Sequence, residues 1–110
     1  MQKNKTKTQK FRSSYAWLTK QRSIRERDLN LCRICLLNLY DTVNRFNYNN
    51  LSVHHIIPLI NDYSKRLDDD NLITLCRQHH ELAEAGIIPK SLLLEEAKHP
   101  PTFDEKNFKD

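Results

Sequence analysis

The three cysteines and most of the histidines of this 110-residue chain fall in short-spaced groups that could bind metal ions. Two pairs, Cys32-x-x-Cys35 and Cys76-x-x-His79, are separated by 40 residues. A structural zinc site is a closed tetrahedron of Cys thiolates and His nitrogens, which three cysteines and one histidine can supply. We therefore predict that these four residues bind a structural Zn²⁺. The alternative, three buried thiols beside a surface histidine, is weaker because two matched pairs occur in one small domain.

The remaining histidines could serve a second, catalytic ion. His54 and His55 are adjacent on a predicted strand, so their side chains point to opposite faces, and one can bind a metal while the other transfers protons. His80 lies about 100° around a predicted helix from His79, and Glu84 follows one turn later on the same face as His80. An imidazole and carboxylate site with an open position can hold a divalent ion that polarises a phosphate oxygen. The competing interpretation is that these histidines are structural.

The elements that must position these groups can be predicted from caps and breakers. Ser13 or Ser14 caps a helix that runs to about Asp28, with Tyr15, Leu18 and Ile24 among its buried positions. Residues 32–35 form a tight turn, and residues 36–50 contain turns with short strand fragments. A strand spans residues 51–57 before Pro58, a second spans 71–75, a helix runs from Cys76 to Gly86, and a short helix capped by Ser91 spans 92–98.

Length and composition limit the class of protein. A chain of 110 residues has room for one domain, and 38% hydrophobic against 29% charged residues give a thin core that a metal would supplement. Gly86 is the one glycine, which argues against a glycine-rich phosphate loop. An odd number of cysteines does not suit a disulfide framework, and we see neither a membrane span nor a signal-peptide core. We therefore expect a cytoplasmic protein.

Charge is concentrated near the N-terminus. Residues 1–33 contain ten Lys or Arg residues and two acidic residues, which suits binding to a polyanion such as DNA or RNA. We predict three segments: a basic disordered arm over residues 1–12, a folded domain over 13–98 and a charged flexible tail over 99–110.

The order of these motifs resembles that of a known family. Cys32-x-x-Cys35 is followed by Val53-His54-His55-Ile56-Ile57-Pro58 and then by Asp70-Asn71-Leu72-Ile73-Thr74-Leu75-Cys76-x-x-His79-His80. Over roughly residues 14–86 this pattern is similar to that of the zinc-containing HNH endonucleases, which are widespread in bacteriophages, mobile introns and restriction systems. The resemblance implies an α+β fold with a small ββα-metal (His-Me finger) core, an N-terminal helix and a structural zinc knuckle.

The resemblance also implies a role for each site residue. His54 and His80 would bind the catalytic divalent ion, which could be Mg²⁺, Mn²⁺ or Ni²⁺, with Glu84 as a candidate third ligand. His55 would be the general base that activates water, and Asn71 would hold the loop that orients His55. The chain departs from the usual Cys-x-x-Cys-His pattern, since it has Cys-x-x-His-His, and this leaves open which imidazole faces which metal.

The function that follows is hydrolysis of phosphodiester bonds in DNA, which we expect to be double-stranded, by an HNH endonuclease. On the resemblance, such a hydrolase could process bacteriophage DNA beside packaging proteins in the cytoplasm of a bacterial host. Three alternatives remain: a non-catalytic zinc module that binds nucleic acid, an RNA-cleaving nuclease that uses the same site, and a zinc module for protein interaction. The sequence does not indicate an oligomeric state.

Overall fold

The computed structural model describes residues 6–102 and contains seven regular elements. The five helices are α1 (Lys7–Arg12), α2 (Tyr15–Arg27), α3 (Arg33–Leu36), α4 (Arg77–Glu84) and α5 (Lys90–Lys98). The two strands are β1 (Ser52–His55) and β2 (Leu72–Leu75), and two 3₁₀ turns, Tyr63–Lys65 and Asp69–Asn71, lie between the strands. None of the helices within residues 6–102 is long and apolar enough to cross a membrane.

The centre of the fold is an antiparallel β-hairpin followed directly by a helix. Ser52 pairs with Leu75 and His55 pairs with Leu72. Every residue of β2 is buried, so this strand crosses the core, and Cys76 then caps α4. Gly86 adopts the left-handed conformation (φ 77°) just beyond the helix, where a glycine carries no steric penalty. The predicted α+β fold with a ββα core is therefore confirmed.

Helix α2 begins and ends where the sequence predicts, but it buries a different face. Ser14 accepts a hydrogen bond from the Trp17 backbone N–H, and Asp28 is the C-terminal cap. Trp17 and Ile24 are seven residues apart, lie on one side of the helix and are buried. Tyr15, with 84% of its surface exposed, and Leu18 project elsewhere, so the prediction that they are buried is wrong.

The predicted disordered arm is partly helical. Residues Lys7–Arg12 form α1, whose N-terminus is closed by a capping box between Thr6 and Gln9. Phe11 is buried, with its ring 5.2 Å from that of Trp17, and this contact stabilises a segment that is otherwise polar. The prediction of disorder is therefore wrong for residues 7–12, whereas residues 1–5 and the tail residues 103–110 lie outside the described residues.

Three smaller differences concern the two cysteine pairs' neighbouring segments and the last helix. The turn predicted over residues 32–35 is the start of the one-turn helix α3, because Cys32 acts as its N-cap. Between Leu37 and Leu51 the chain has no helix or strand, so the predicted strand fragments are absent there. Helix α5 starts at Lys90 behind Pro89, one residue before the predicted cap.

The core consists of two clusters, and β2 contributes residues to both of them. Alternate residues of β2 point to opposite faces, so Ile73 and Leu75 pack with the cysteines, α4 and α5, while Leu72 packs with α2. The second cluster also contains Phe11 and Trp17. The N-terminal helices are thus part of the folded domain.

A buried ionic network links these layers. Asp28 is fully buried and its carboxylate accepts hydrogen bonds from Arg27 (2.9 and 3.0 Å), from Arg33 (2.9 Å) and from the backbone N–H of Thr74 (2.9 Å). Arg33 also donates to the carboxylate of Glu96 at 3.1 Å. The network therefore ties α2 and α3 to β2 and α5, and it fixes the segment that carries the first cysteine pair.

Candidate metal centres and active site

The two halves of the predicted zinc knuckle meet in the structure. Cys32, Cys35, Cys76 and His79 are buried, and their ligand atoms lie within 4.8 Å of one another. Nδ1 of His79 is 3.4 Å from each of the three sulfur atoms, and Sγ of Cys35 is 3.8 Å from Sγ of Cys76. Helix α3 presents the first pair and the opening turn of α4 presents the second.

These distances are compatible with tetrahedral zinc. Bond lengths of about 2.3 Å to sulfur and about 2.0–2.1 Å to nitrogen give tetrahedral edges of about 3.8 Å between sulfurs and about 3.5 Å between sulfur and nitrogen. The observed separations of 3.8 and 3.4 Å agree with both edges. The donor set and its geometry therefore fit one Zn²⁺.

Neighbouring groups fix the protonation of this cluster. Nε2 of His79 lies 2.9 Å from the carbonyl oxygen of Tyr40; because that oxygen can only accept, Nε2 carries the hydrogen and Nδ1 is left as the ligand atom. The side-chain amide of Asn47 donates to Sγ of Cys35 (3.7 Å), and the backbone N–H of Cys35 donates to Sγ of Cys32 (3.4 Å). Such donors stabilise thiolates.

Burial disfavours the deprotonated form of these cysteines unless a cation is bound. Burial raises the pKa of the Cys32 thiol and also that of the Cys35 thiol. A coordinating divalent cation reverses this preference, because it deprotonates the thiols that bind it. The cluster is therefore suited to a bound metal and poorly suited to free thiolates.

A second group of possible ligands lies on β1 and α4. His54, His80 and Glu84 have ligand atoms within 4.8 Å of one another. Nε2 of His80 is 3.0 Å from Oε1 of Glu84, and Nδ1 of His80 is 2.6 Å from Oγ of Ser52. If Nδ1 donates to Ser52, Nε2 is available as a ligand, which is the second-shell arrangement common in metal sites. Two imidazoles and one exposed carboxylate fit a divalent cation with open positions.

His54 is held in the form that a metal ligand requires. Burial is the main cause that lowers the pKa of His54 to about 4, and the neighbouring His80, His55 and Lys90 lower it further. The ring is therefore neutral at physiological pH and retains an unprotonated nitrogen. Its centroid lies 4.8 Å from that of His80, in an edge-on arrangement.

His55 points away from this group, as the alternation of a strand requires. Its Nε2 lies 3.0 Å from the carbonyl oxygen of Arg66, so Nε2 donates and Nδ1 is unprotonated in the neutral ring. Burial lowers the pKa of His55 and the charge of Arg12 lowers it further, whereas the hydrogen bond to Arg66 raises it. The ring stacks on Trp17 with a centroid distance of 4.6 Å, so its orientation is fixed from two sides.

Asn71 connects the two ends of the loop between the strands. Its side-chain oxygen accepts from the backbone N–H of Ile57 at 2.7 Å. Its amide donates to the carbonyl oxygens of Ile57 (3.1 Å) and Lys65 (3.3 Å). Asn71 is buried, so these hydrogen bonds hold the loop that ends β1 and that supplies the Arg66 carbonyl to His55.

All these imidazoles except His79 open into one cleft of about 570 Å³. The cleft is lined by residues of the N-terminal helices, of β1 and the following loop, and of α4 and α5, including Arg12, Trp17, His54, His55, His80 and Glu84. A base with an unprotonated nitrogen and a candidate cation site therefore face the same space. That arrangement can activate water beside a phosphate.

The sequence did not identify three parts of this site. Ser52 faces His80, the Arg66 carbonyl faces His55, and Trp17 stacks on His55. Ser52 lies two residues before His54 on the same strand face, so the alternation of β1 could have indicated it. The Arg66 carbonyl and Trp17 depend on the fold of distant segments, and no local pattern marks them.

Comparison with protein families supports the arrangement. Residues 32–85 match the family described as HNH endonuclease, which covers both cysteine pairs, the hairpin and α4. Comparison of the whole chain with curated proteins and with solved structures finds no significant match. The matched segment contains every predicted ligand and His55, in agreement with the resemblance seen in the sequence. Residues 32–85 of this chain therefore form an HNH endonuclease domain.

Proposed function

We propose that the protein is a metal-dependent endonuclease that hydrolyses phosphodiester bonds in DNA. One observation supports this most strongly: His55, with an unprotonated Nδ1, lines the same cleft as His54, His80 and Glu84. A divalent cation held by these three ligands would polarise a phosphate oxygen and offset the charge on the leaving oxygen. The family match supports a nuclease-type hydrolase.

The residues of the chain would then act as follows. His55 takes a proton from water through Nδ1, since Nε2 stays bonded to the Arg66 carbonyl. Asn71 keeps the loop and that carbonyl in place. Cys32, Cys35, Cys76 and His79 hold Zn²⁺ and so anchor α3 to α4, which is a structural role.

The preference for double-stranded DNA over RNA rests on the resemblance alone, as does a setting in bacteriophage DNA processing beside packaging proteins in the bacterial cytoplasm. The exposed cations of the N-terminal helices suit either nucleic acid, because they neutralise phosphates regardless of the sugar. An assay that offers both substrates therefore decides between them.

The test is cleavage of supercoiled plasmid and of a structured RNA by purified protein with Mg²⁺, Mn²⁺ or Ni²⁺. His55→Ala should lower the rate of plasmid cleavage by about 10²–10⁴-fold, because a general base acts on the chemical step. Its affinity for DNA should stay close to that of the parent. His80→Ala should lose activity that excess Mn²⁺ partly restores, since it weakens the ion site.

His99→Ala is the matched control, because the His99 side chain is exposed and its contact among residues 6–102 is with Glu95, one turn earlier. It should cut like the parent. Equal cleavage by His55→Ala and the parent would refute the assigned base. A parent protein that binds nucleic acid but cuts neither substrate with any of these ions would identify a non-catalytic binding module.

A further inference from the structure

Two basic side chains line the cleft, and both lie outside the matched domain. Arg12 is the last residue of α1 and Lys90 is the first residue of α5, whereas the family match covers residues 32–85. Among the described residues that line the cleft, Arg12 and Lys90 are the only lysine or arginine residues, and Glu84 is the only acidic residue. The flanking helices therefore add positive charge to the catalytic cleft.

Neither cation contributes a polar side-chain contact to the described part of the fold. Arg12 and Lys90 are exposed, and within residues 6–102 neither side chain forms a hydrogen bond or an ion pair. Other cations of the N-terminal segment form ion pairs within the protein: Lys20 pairs with Asp69 at 2.7 Å, and Arg27 pairs with the buried Asp28. A cation without a protein partner at a cleft that suits phosphodiester chemistry is available to a ligand phosphate.

Arg12 and Lys90 line the same cleft as His54 and His55. Each cation therefore faces the space into which these imidazoles open. A phosphate bound by either side chain would lie beside the candidate base or the candidate cation site.

We propose that Arg12 and Lys90 bind backbone phosphates of the nucleic acid strand that is cut, one from each flank of the cleft. The proposal rests on the proposed function, because it assumes a phosphodiester substrate. The planar guanidinium of Arg12 can bind two phosphate oxygens at once, whereas the ammonium of Lys90 acts as a point charge. The two flanking helices would thus align the strand, and the matched domain would supply the chemistry.

The test compares Arg12→Gln and Lys90→Gln with two control variants that remove the same charges elsewhere. Arg45 and Lys98 are exposed and do not line the cleft, so Arg45→Gln and Lys98→Gln are matched controls. Binding of a fluorescent DNA duplex is followed by anisotropy between low and moderate salt, without added divalent ion. Each cleft variant should reduce the slope of log affinity against log salt by about 0.9, the value for one lost phosphate contact.

Cleavage is measured in parallel. The cleft variants should lower the kcat/KM of plasmid cleavage by roughly tenfold, within the range for one charge-assisted contact, and the controls should not. Arg12→Lys should keep the salt slope of the parent, since it keeps the charge. Circular dichroism melting of the Arg12, Lys90 and Lys98 variants should match the parent, because these side chains are exposed. Arg45→Gln loses an exposed hydrogen bond to the Leu36 carbonyl oxygen, so its melting curve is compared with the parent separately.

The outcomes separate this proposal from the proposed function. If the cleft variants bind with the same affinity and salt slope as Arg45→Gln and Lys98→Gln, the proposal is overturned even though the parent cuts DNA. If the parent never cuts but the two cleft variants still lose salt slope, the phosphate contacts stand and the catalytic proposal fails. If each cleft variant loses both slope and kcat/KM, both proposals gain support.

Discussion

The buried carboxylate of Asp28 offers the sharpest test of how the domain is held together. Asp28→Asn removes the charge from a fully buried site and turns a donor amide toward Arg27 or Arg33. The carboxylate accepts three charge-assisted bonds from the two arginines and one from the Thr74 N–H. At about 1.5–3 kcal/mol per bond to a charged group, a simple sum exceeds 5 kcal/mol.

The expected cost is smaller than that sum. The Arg27 side chain is 18% exposed and can regain water, and Arg33 keeps the carboxylate of Glu96. The side chain of Arg33 is only 3% exposed, however, so most of its charge stays buried without its main partner. Breaking such a pair costs about 3–5 kcal/mol. For a domain of this size, that loss lowers Tm by roughly 12–40 °C.

Glu81→Gln is the matched control, since it also converts an acid to its amide. Glu81 pairs with Arg77 at 3.3 Å, but the two side chains are 68% and 83% exposed. An exposed pair one helical turn apart is worth about 0.3–0.5 kcal/mol, so Tm should change by only a few degrees. Thermal and urea unfolding followed by circular dichroism measure both variants. A Tm for Asp28→Asn within a few degrees of that for Glu81→Gln would refute the reasoning.

Two further predictions concern the predicted zinc knuckle and the loop between β1 and β2. Purified protein should carry close to one zinc per chain, and Cys35→Ser should lose it and unfold, because metal-binding free energy supports so small a core. Metal analysis and a melting curve measure these two effects. A metal-free protein with an unchanged melting curve would contradict the prediction. Asn71→Ala should cost about 1–3 kcal/mol by leaving the Ile57 N–H without its 2.7 Å acceptor, and at temperatures where it stays folded its cleavage rate should still fall. A folded Asn71→Ala with the parent's rate would show that the loop does not orient His55.

The two groups of candidate ligands could be predicted from the sequence because the spacing within each pair is local. Two ligands three residues apart at a helix start share a face, as Cys76 and His79 do, and adjacent strand residues such as His54 and His55 diverge. Helix caps are local as well, which is why Ser14 and Asp28 bound α2 as predicted. These features depend on a few neighbouring residues, and tertiary structure did not change them.

The rest of the site depends on contacts between distant segments. The sequence placed residues 1–12 outside the fold, because one Phe11 among lysines and glutamines shows no apolar period. In the structure Phe11 packs on Trp17 and lies 5.9 Å, ring to ring, from His55. The face that α2 buries could not be predicted either, since Tyr15 and Leu18 offer as much apolar surface as the residues that are buried. Only packing against the hairpin decides between the two faces.

The two His-His pairs show how a regular backbone sends adjacent imidazoles into different environments. In β1, alternation sends His54 toward His80 and Glu84 and sends His55 toward Trp17 and the Arg66 carbonyl. In α4, a step of about 100° per residue places one imidazole among the three cysteines and the next in the cleft. The departure from the usual Cys-x-x-Cys-His pattern therefore creates no ambiguity in the folded chain. The backbone geometry of β1 and α4 determines which environment each imidazole enters. The residue at that position then only needs a side chain that is compatible with that environment.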